Sequence, residues 1–250
     1  MDRAAFTHMA ATEATHWWFV GRRAVIDALL DGIQLPDSGS ILEAGCGTGG
    51  NLATFVATRR TSLPSSRIID AIEFAKGTPS RRRHPAGRAC RRPCRIAQGS
   101  FDLVAALDVL EHVKDDAGSA QALVALVRPG GWLVVTVPAH QALWGSHDRR
   151  LHHHRRYGRR QLEHLFAKCD VELVRLTPFN IFLSPIAMVY RFAERVLGLD
   201  LGNQERIPPR WINRTLSLIF GAEALLVRHR VPVPFGLSYA AIYRRRQTSP

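Results

Sequence analysis

The run Ile41-Leu42-Glu43-Ala44-Gly45-Cys46-Gly47-Thr48-Gly49-Gly50 constrains this chain more than any other stretch. A short apolar strand ends in a glycine-rich turn, and a helical segment, Asn51 to Ala57, continues from it. Glycine reaches positive φ without a Cβ penalty and lets a ligand lie against bare backbone. A turn of this kind that opens onto a helix N-terminus favours a carboxylate or a phosphate. Gly45, Gly47 and Gly50 satisfy the dinucleotide fingerprint in its loosest form. Glu43 argues against a pyrophosphate: it stands just ahead of the first glycine, and like charges repel. A cationic ligand suits that carboxylate.

The elements around the turn follow the order of a doubly wound α/β domain. Residues 1–35 form a helical segment, with Val25, Ile26, Leu29 and Leu30 at helical spacing. Ile41 to Ala44 is the first strand and Arg67 to Phe74 the second. Phe101 to Leu107 is a continuous apolar run, as expected of a strand buried on both faces. Asp115 and Asp116 favour the start of a helix that runs to about Val127. Pro129-Gly130-Gly131 is expected to stop it, and Trp132 to Pro138 is the next strand. An amphipathic helix with Leu162, Leu165 and Phe166 on one face precedes a strand at Val171 to Phe179. Residues 180–233 hold two apolar-faced helices separated by Pro208 and Pro209, a helical insertion whose core face is expected at Phe179, Leu183, Ile186, Phe192 and Leu197. The whole reads as one domain, a core at 36–179 and 234–250 interrupted by that insertion.

Three segments carry a family resemblance. "ILEAGCGTGGNL", "FDLVAALDVLEHV" and "LVRPGGWLVVTVPA" stand in the order and spacing of class I methyltransferases that use S-adenosylmethionine (SAM), whose ammonium and sulfonium are the cationic groups that Glu43 suits. "HWWFVGRR", "HDRRLHHHRRY" and "PFGLSYAAIYRRR" resemble a bacterial type 11/12-like subgroup. The resemblance spans most of the chain. It implies a Rossmann-like α/β sheet, mostly parallel with an antiparallel last strand, and SAM as cofactor. It places Glu43 near the methionine end of SAM, with Gly45, Cys46, Gly47, Gly49 and Asn51 along the cofactor and the backbone of Asp108 and Val109 passing it. Glu73, near the end of the second strand, is placed to accept hydrogen bonds from the ribose hydroxyls, or else is a solvated surface acid. His112 is a candidate general base or a structural histidine. Asp148, His153, Arg155, Arg156 and Tyr157 match the subgroup pattern on the acceptor side, so His153 and Tyr157 join His112 as candidate catalytic residues. The subgroup carries a small residue where His152 stands here. Trp17, Trp18 and Phe19 either cover the pocket or simply pack.

Composition narrows the partners. Of the net charge of +13, the stretch 58–97 holds +9, from eleven Lys or Arg against two acids. Its one aromatic is Phe74, whereas single-strand binding surfaces interleave aromatics with their cations. Nucleic acid is therefore not the expected partner. Residues 75–97 show neither helical nor strand period and read either as a mobile basic loop or as a local frameshift in a GC-rich gene. Cys46, Cys90, Cys94 and Cys169 read as free thiols of a reducing compartment, and the N-terminus lacks the apolar core of a secretion signal, so a cytoplasmic chain is expected. No metal is expected: the adjacent histidines 152–154 cannot easily converge on one ion, and no carboxylate or cysteine stands at ligand spacing beside them. The leading expectation is methyl transfer to a small or lipid-like acceptor, with the insertion forming the acceptor pocket or its lid and touching membrane surfaces peripherally. An RNA- or protein-directed methyltransferase, a nicotinamide oxidoreductase and a non-catalytic relative are the alternatives.

Overall fold

The computed structural model describes residues 12–37, 39–45, 50–51, 55, 69–70, 97–197 and 207–247. Six strands form one sheet in the order β2-β1-β3-β4-β6-β5. They are β1 (Ile41–Ala44), β2 (Ile69–Asp70), β3 (Phe101–Leu107), β4 (Val127–Pro138), β5 (Val171–Phe179) and β6 (Ser238–Arg245). β1 pairs in parallel with β2 and β3, and β3 with β4. β6 runs antiparallel between β4 and β5, as the resemblance implies. From β1 the chain first goes outward to β2 and then returns to the other side at β3. That reversal makes a topological switch point at the carboxyl ends of β1 and β3, where open α/β sheets hold their ligands.

Alternation along β3 shows how the sheet is covered. All seven residues of β3 are buried. Leu103, Ala105 and Leu107 face a layer made of Val25, Ile26 and Leu29 from α1 (Trp17–Leu30) and Phe220 and Val227 from α6 (Arg210–Arg228). Val104 and Ala106 face the opposite layer, which includes Ala120, Leu123 and Val124 of α2 (Asp116–Leu126) and, beyond α3 (Ser146–Arg150), Leu162 and Phe166 of α4 (Arg159–Phe166). Side chains on a strand point alternately to its two faces, so an unbroken apolar run requires both faces to be covered.

Asp115 starts α2 as read from sequence, its side chain accepting a hydrogen bond from the Gly118 amide at 2.9 Å. The helix ends at Leu126, before Pro129-Gly130-Gly131, and β4 already begins at Val127. Val127 pairs with Phe101 and Trp132 with Leu103, so the Pro-Gly-Gly segment is a bulge inside the strand and not the helix stop. A Cβ on Gly131 would stand 2.9 Å from Val127 and 3.0 Å from the Asp102 carbonyl. At this amino end Asp102 gathers three elements. It accepts from the Ser40 amide at 2.6 Å, from Ser40 Oγ at 3.0 Å, and from Arg128 Nε.

The insertion departs most from expectation. Phe179 and Leu183 are buried, but Ile186, Phe192 and Leu197 are 67%, 68% and 62% exposed. α5 (Ser184–Leu197) docks through its polar side instead. Glu194 accepts from the Ser146 amide at 2.7 Å, and Arg195 donates to the Ala142 carbonyl at 2.9 Å. Glu223 of α6, fully buried, accepts from the amides of Ile181 and Phe182 and so fixes the entry to α5. α6 packs conventionally on α1: a Cβ on Gly21 would meet Phe220 at 2.5 Å, and the Trp18 ring lies 5.2 Å from that of Phe220. Trp17 and Trp18 therefore serve this helix contact. Among the described residues no helix is long and apolar enough to cross a membrane. The readings for 75–97, and Cys46, Gly47, Gly49 and Glu73, lie outside the described residues, as do three of the four cysteines; Cys169 is a buried free thiol.

Candidate active site

One side of the switch point is the end of β1. Glu43 is 1% exposed, and Asn51 donates to its Oε1 at 2.9 Å. Gly45 follows with φ +76°, and a Cβ there would meet Val109 Cγ2 at 2.5 Å. Only glycine satisfies both the left-handed backbone and that contact. The two turns named from sequence thus touch. A buried carboxylate at a strand end, steadied by an amide beside a glycine at positive φ, can accept from a cationic group.

Asp108 directly follows β3, at φ +55°. Its carboxylate pairs with Arg22 at 2.6 Å and accepts from Thr136 Oγ1 at 2.9 Å. Arg22 lies in the "HWWFVGRR" segment, where the aromatics draw attention first; it is 6% exposed and ties α1 to the carboxyl end of β3. Its position next to a tryptophan-rich helix start is the one sequence signal for it.

Beyond Asp108 a short 3-10 turn carries Leu110, Glu111 and His112. It meets the loop after α3, where the His154 amide donates to the Glu111 carbonyl at 2.7 Å. The His112 and His153 rings stand edge to face with centroids 4.6 Å apart. His153 Nδ1 lies 3.0 Å from Asp148 Oδ1, and Arg156 Nε donates to the same oxygen at 2.8 Å. Burial alone would raise the pKa of Asp148, but the hydrogen bonds from His153 and Arg156 outweigh it and hold the carboxyl well below its usual range. An ionised Asp148 makes His153 Nδ1 the donor and leaves Nε2 as the nitrogen free to take a proton or a ligand. Desolvation, then the neighbouring His153, push His112 down to about 4, so its ring is neutral at pH 7.

Glu111 is the residue that spacing passes over in favour of its neighbour His112. It is fully buried, and among the described residues neither carboxylate oxygen has a hydrogen-bond partner. Burial, reinforced by the charge of Asp108, raises its pKa well above the ordinary carboxylate range. One ligand atom each from Glu111, His112 and His153 lie within 4.8 Å of one another. His153 alone of the three adjacent histidines joins this group, and the carboxylate absent from its sequence neighbourhood arrives from a turn 42 positions earlier.

Tyr157 is not brought to this cluster. It is 3% exposed, and its hydroxyl donates to Asp116 at 3.0 Å. Burial and the Asp116 charge raise its pKa far from neutrality. Arg155 pairs with the same Asp116 at 2.6 Å. This geometry is that of an anchor between α2 and the loop, not of a proton carrier.

Comparison with known proteins identifies the family. The model of a methyltransferase domain family matches residues 16–176. The ubiquinone biosynthesis O-methyltransferase of Paracidovorax citrulli is 31% identical over 112 residues, 42% of this chain and 45% of that relative, so the match spans under half of its length. A chain from the complex between the Haloferax volcanii Trm112 methyltransferase activator and a methyltransferase superposes with a TM-score of 0.51 at 14% identity, over 99% of this chain and 96% of its own. The [4+2]-cyclase SpnF superposes with a TM-score of 0.50 at 18% identity, over 92% and 82%. Likeness at such identity establishes the fold alone, and a cyclase among the neighbours shows that function must be argued from the site. With the family match covering more than half of the chain, and Glu43, Gly45 and Asn51 set at the switch point of the sheet, the chain belongs to the methyltransferase domain family, within the class I SAM-dependent methyltransferases.

Proposed function

We propose that this protein transfers the SAM methyl group to a hydroxyl oxygen of a small, apolar acceptor, whose proton is removed at the Glu111–His112–His153 cluster. The observation that carries the reading is the Asp148–His153 pair beside neutral His112, whose 3-10 turn reaches the Gly45 turn through Val109. The sulfonium is already a good leaving group, so the protein's work is to align a nucleophile near the methyl carbon and exclude water. A hydroxyl also has to lose its proton, which is where a positioned imidazole adds rate. An apolar acceptor is supported by α5, which is held over the loop after β4 and turns Ile186, Val189 and Phe192 outward. The P. citrulli relative is named for O-methylation in ubiquinone biosynthesis, which favours the same class.

Calorimetric titration tests the cofactor half. SAM and S-adenosylhomocysteine are expected to bind at micromolar levels and NAD not at all. Glu43→Ala is expected to weaken SAM at least tenfold, about 1.4 kcal/mol; unchanged affinity would remove Glu43 from the methionine end. Incubation with SAM and a panel of hydroxylated aromatics bearing alkyl or prenyl tails tests the acceptor half, read as one methyl added at oxygen by mass spectrometry. Transfer to amines alone would overturn the oxygen assignment.

A further inference from the structure

Three acids stand at the carboxyl ends of β3 and β4, and two of them are neutralised. Asp108 is paired with Arg22 and Asp148 with Arg156. Both arginines place their hydrogen bonds there, and although their charges also act on Glu111, it remains a fully buried carboxyl with neither oxygen hydrogen-bonded among the described residues. A buried carboxyl without a hydrogen bond is costly, and a bound cation is one way to satisfy it. Two imidazoles lie beside this one, with a ligand atom from each of the three residues inside 4.8 Å.

We propose that Glu111, His112 and His153 form a site for a divalent transition-metal ion of the zinc and cobalt class. One carboxylate and two imidazoles are a donor set for such ions, whereas magnesium and calcium prefer oxygen alone. Three protein ligands leave at least one position open, the arrangement of catalytic rather than structural sites. The surroundings supply what a bound imidazole needs. Asp148 accepts a hydrogen bond from His153 Nδ1 and leaves Nε2 available as a ligand, the carboxylate–histidine pairing that orients metal ligands. Arg156 locks Asp148 in turn, and the bond from the His154 amide to the Glu111 carbonyl clamps the two ligand-bearing loops together. His112 is exposed, so an ion can enter from solvent while Glu111 forms the floor. Tetrahedral ligands sit roughly 3.4 Å apart, so closure onto an ion requires side-chain shifts of about an ångström.

This inference rests on the oxygen-methylation reading and names how the proton leaves. An acceptor hydroxyl in the open position is acidified by the cation and releases its proton to solvent. The resulting oxyanion forms the O–CH3 bond as the C–S bond breaks, and S-adenosylhomocysteine departs neutral.

The test uses tag-free, chelator-treated protein titrated with Co2+ and followed by its visible absorption, with Zn2+ competition. One equivalent is expected to bind at micromolar affinity or tighter. Glu111→Gln and His153→Ala are expected to lose at least tenfold in affinity, and His152→Ala and His154→Ala to retain it. SAM titration of every variant reads whether the fold and the cofactor site survive. A wild type that binds SAM but no Co2+ or Zn2+, or a Glu111→Gln variant with unchanged metal affinity, would overturn the site. Methyl transfer that persists undiminished after chelation would leave the oxygen-methylation reading standing and assign the proton to His153 alone. Failure to bind SAM would instead undo that reading, while the metal titration still answers for the cluster.

Discussion

Strand β3 is flanked by two buried acids that live in opposite circumstances. Asp102, at its amino end, accepts from Ser40 twice and from Arg128. Burial alone would raise its pKa, yet those bonds prevail and lower it. Glu111, just past the carboxyl end, has no side-chain partner among the described residues, and its pKa is raised. The backbone repeats the contrast. Positive φ on the amino side falls on Gly99 and Gly130, which bear it without penalty, and on one other residue, Arg230 just after α6. At the carboxyl ends it falls on Asp108, His140, His152 and Asn180 as well as Gly45. The amino end of the sheet is the better satisfied. The other carries a buried carboxyl without a hydrogen-bond partner among the described residues and more backbone strain, both of which cost stability and mark places where a ligand or a mechanism uses the distortion.

Two substitutions should separate what holds the carboxyl end together from what holds the amino end. Asp148→Ala strands Arg156 and His153 in a buried site, and removing one partner of a buried pair costs about 3–5 kcal/mol. Urea unfolding should show that loss together with loss of methyl transfer; a loss below about 1 kcal/mol would mean that the pair behaves like a surface contact. Asp102→Asn should cost less, about 1–3 kcal/mol, and leave SAM affinity unchanged. Its pH signature has a definite sign. The folded-state pKa of Asp102 is depressed, so its contribution is complete above the unfolded carboxylate range and disappears as pH falls through the folded value. The stability difference between wild type and Asp102→Asn should therefore shrink in acid. A difference that stayed constant would show that the charge is irrelevant there.

Legibility in the sequence follows the same divide. Strands β1, β3, β5 and β6 could be read because each is a local pattern: an apolar run or a run closed by turn residues. The antiparallel place of β6 came from resemblance, not from pattern. Glu43, Gly45 and His153 were legible because a glycine turn or a motif marks them. Arg22 and Glu111 were not, because their roles depend on partners 86 and 42 positions away along the chain, and no spacing encodes such a meeting. The Pro-Gly-Gly segment misled because the same residues end helices and make bulges, and only the pairing of Val127 with Phe101 decides between them. The face of α5 misled more deeply. Apolar periodicity says that a helix has two faces, but which face turns inward was decided by Glu194 and Arg195 bonding to the loop after β4.

Glu111→Met breaks the comparison from the other side. If the carboxyl end gives up stability for function, replacing its orphaned carboxylate by an apolar side chain of similar length should stabilise the metal-free protein by about 1–2 kcal/mol. Methyl transfer should be lost at the same time. Asp102→Leu at the amino end should do the opposite, destabilising while the cofactor still binds. A Glu111→Met variant less stable than wild type would mean that the carboxylate is satisfied within the fold and that the contrast between the two ends is wrong.

The smallest effect concerns backbone alone. His152 sits at φ +56° between α3 and the His153 loop, where the resembled subgroup carries a small residue. A left-handed L-residue costs roughly 1–2 kcal/mol, and glycine gives back about 0.5–1 kcal/mol of that through its greater freedom when unfolded. His152→Gly should therefore stabilise the fold by about 0.5–1 kcal/mol. His152→Ala should yield none of this, because alanine keeps the Cβ that is strained. Equal gains from both would place the effect in the imidazole and not in the backbone. Since His152 lies outside the Glu111–His112–His153 group, the glycine variant should keep SAM affinity. A fall in methyl transfer with affinity intact would then mean that the strained turn itself holds His153 in register with Glu111, so that strain at this end serves the site and is not merely tolerated by it.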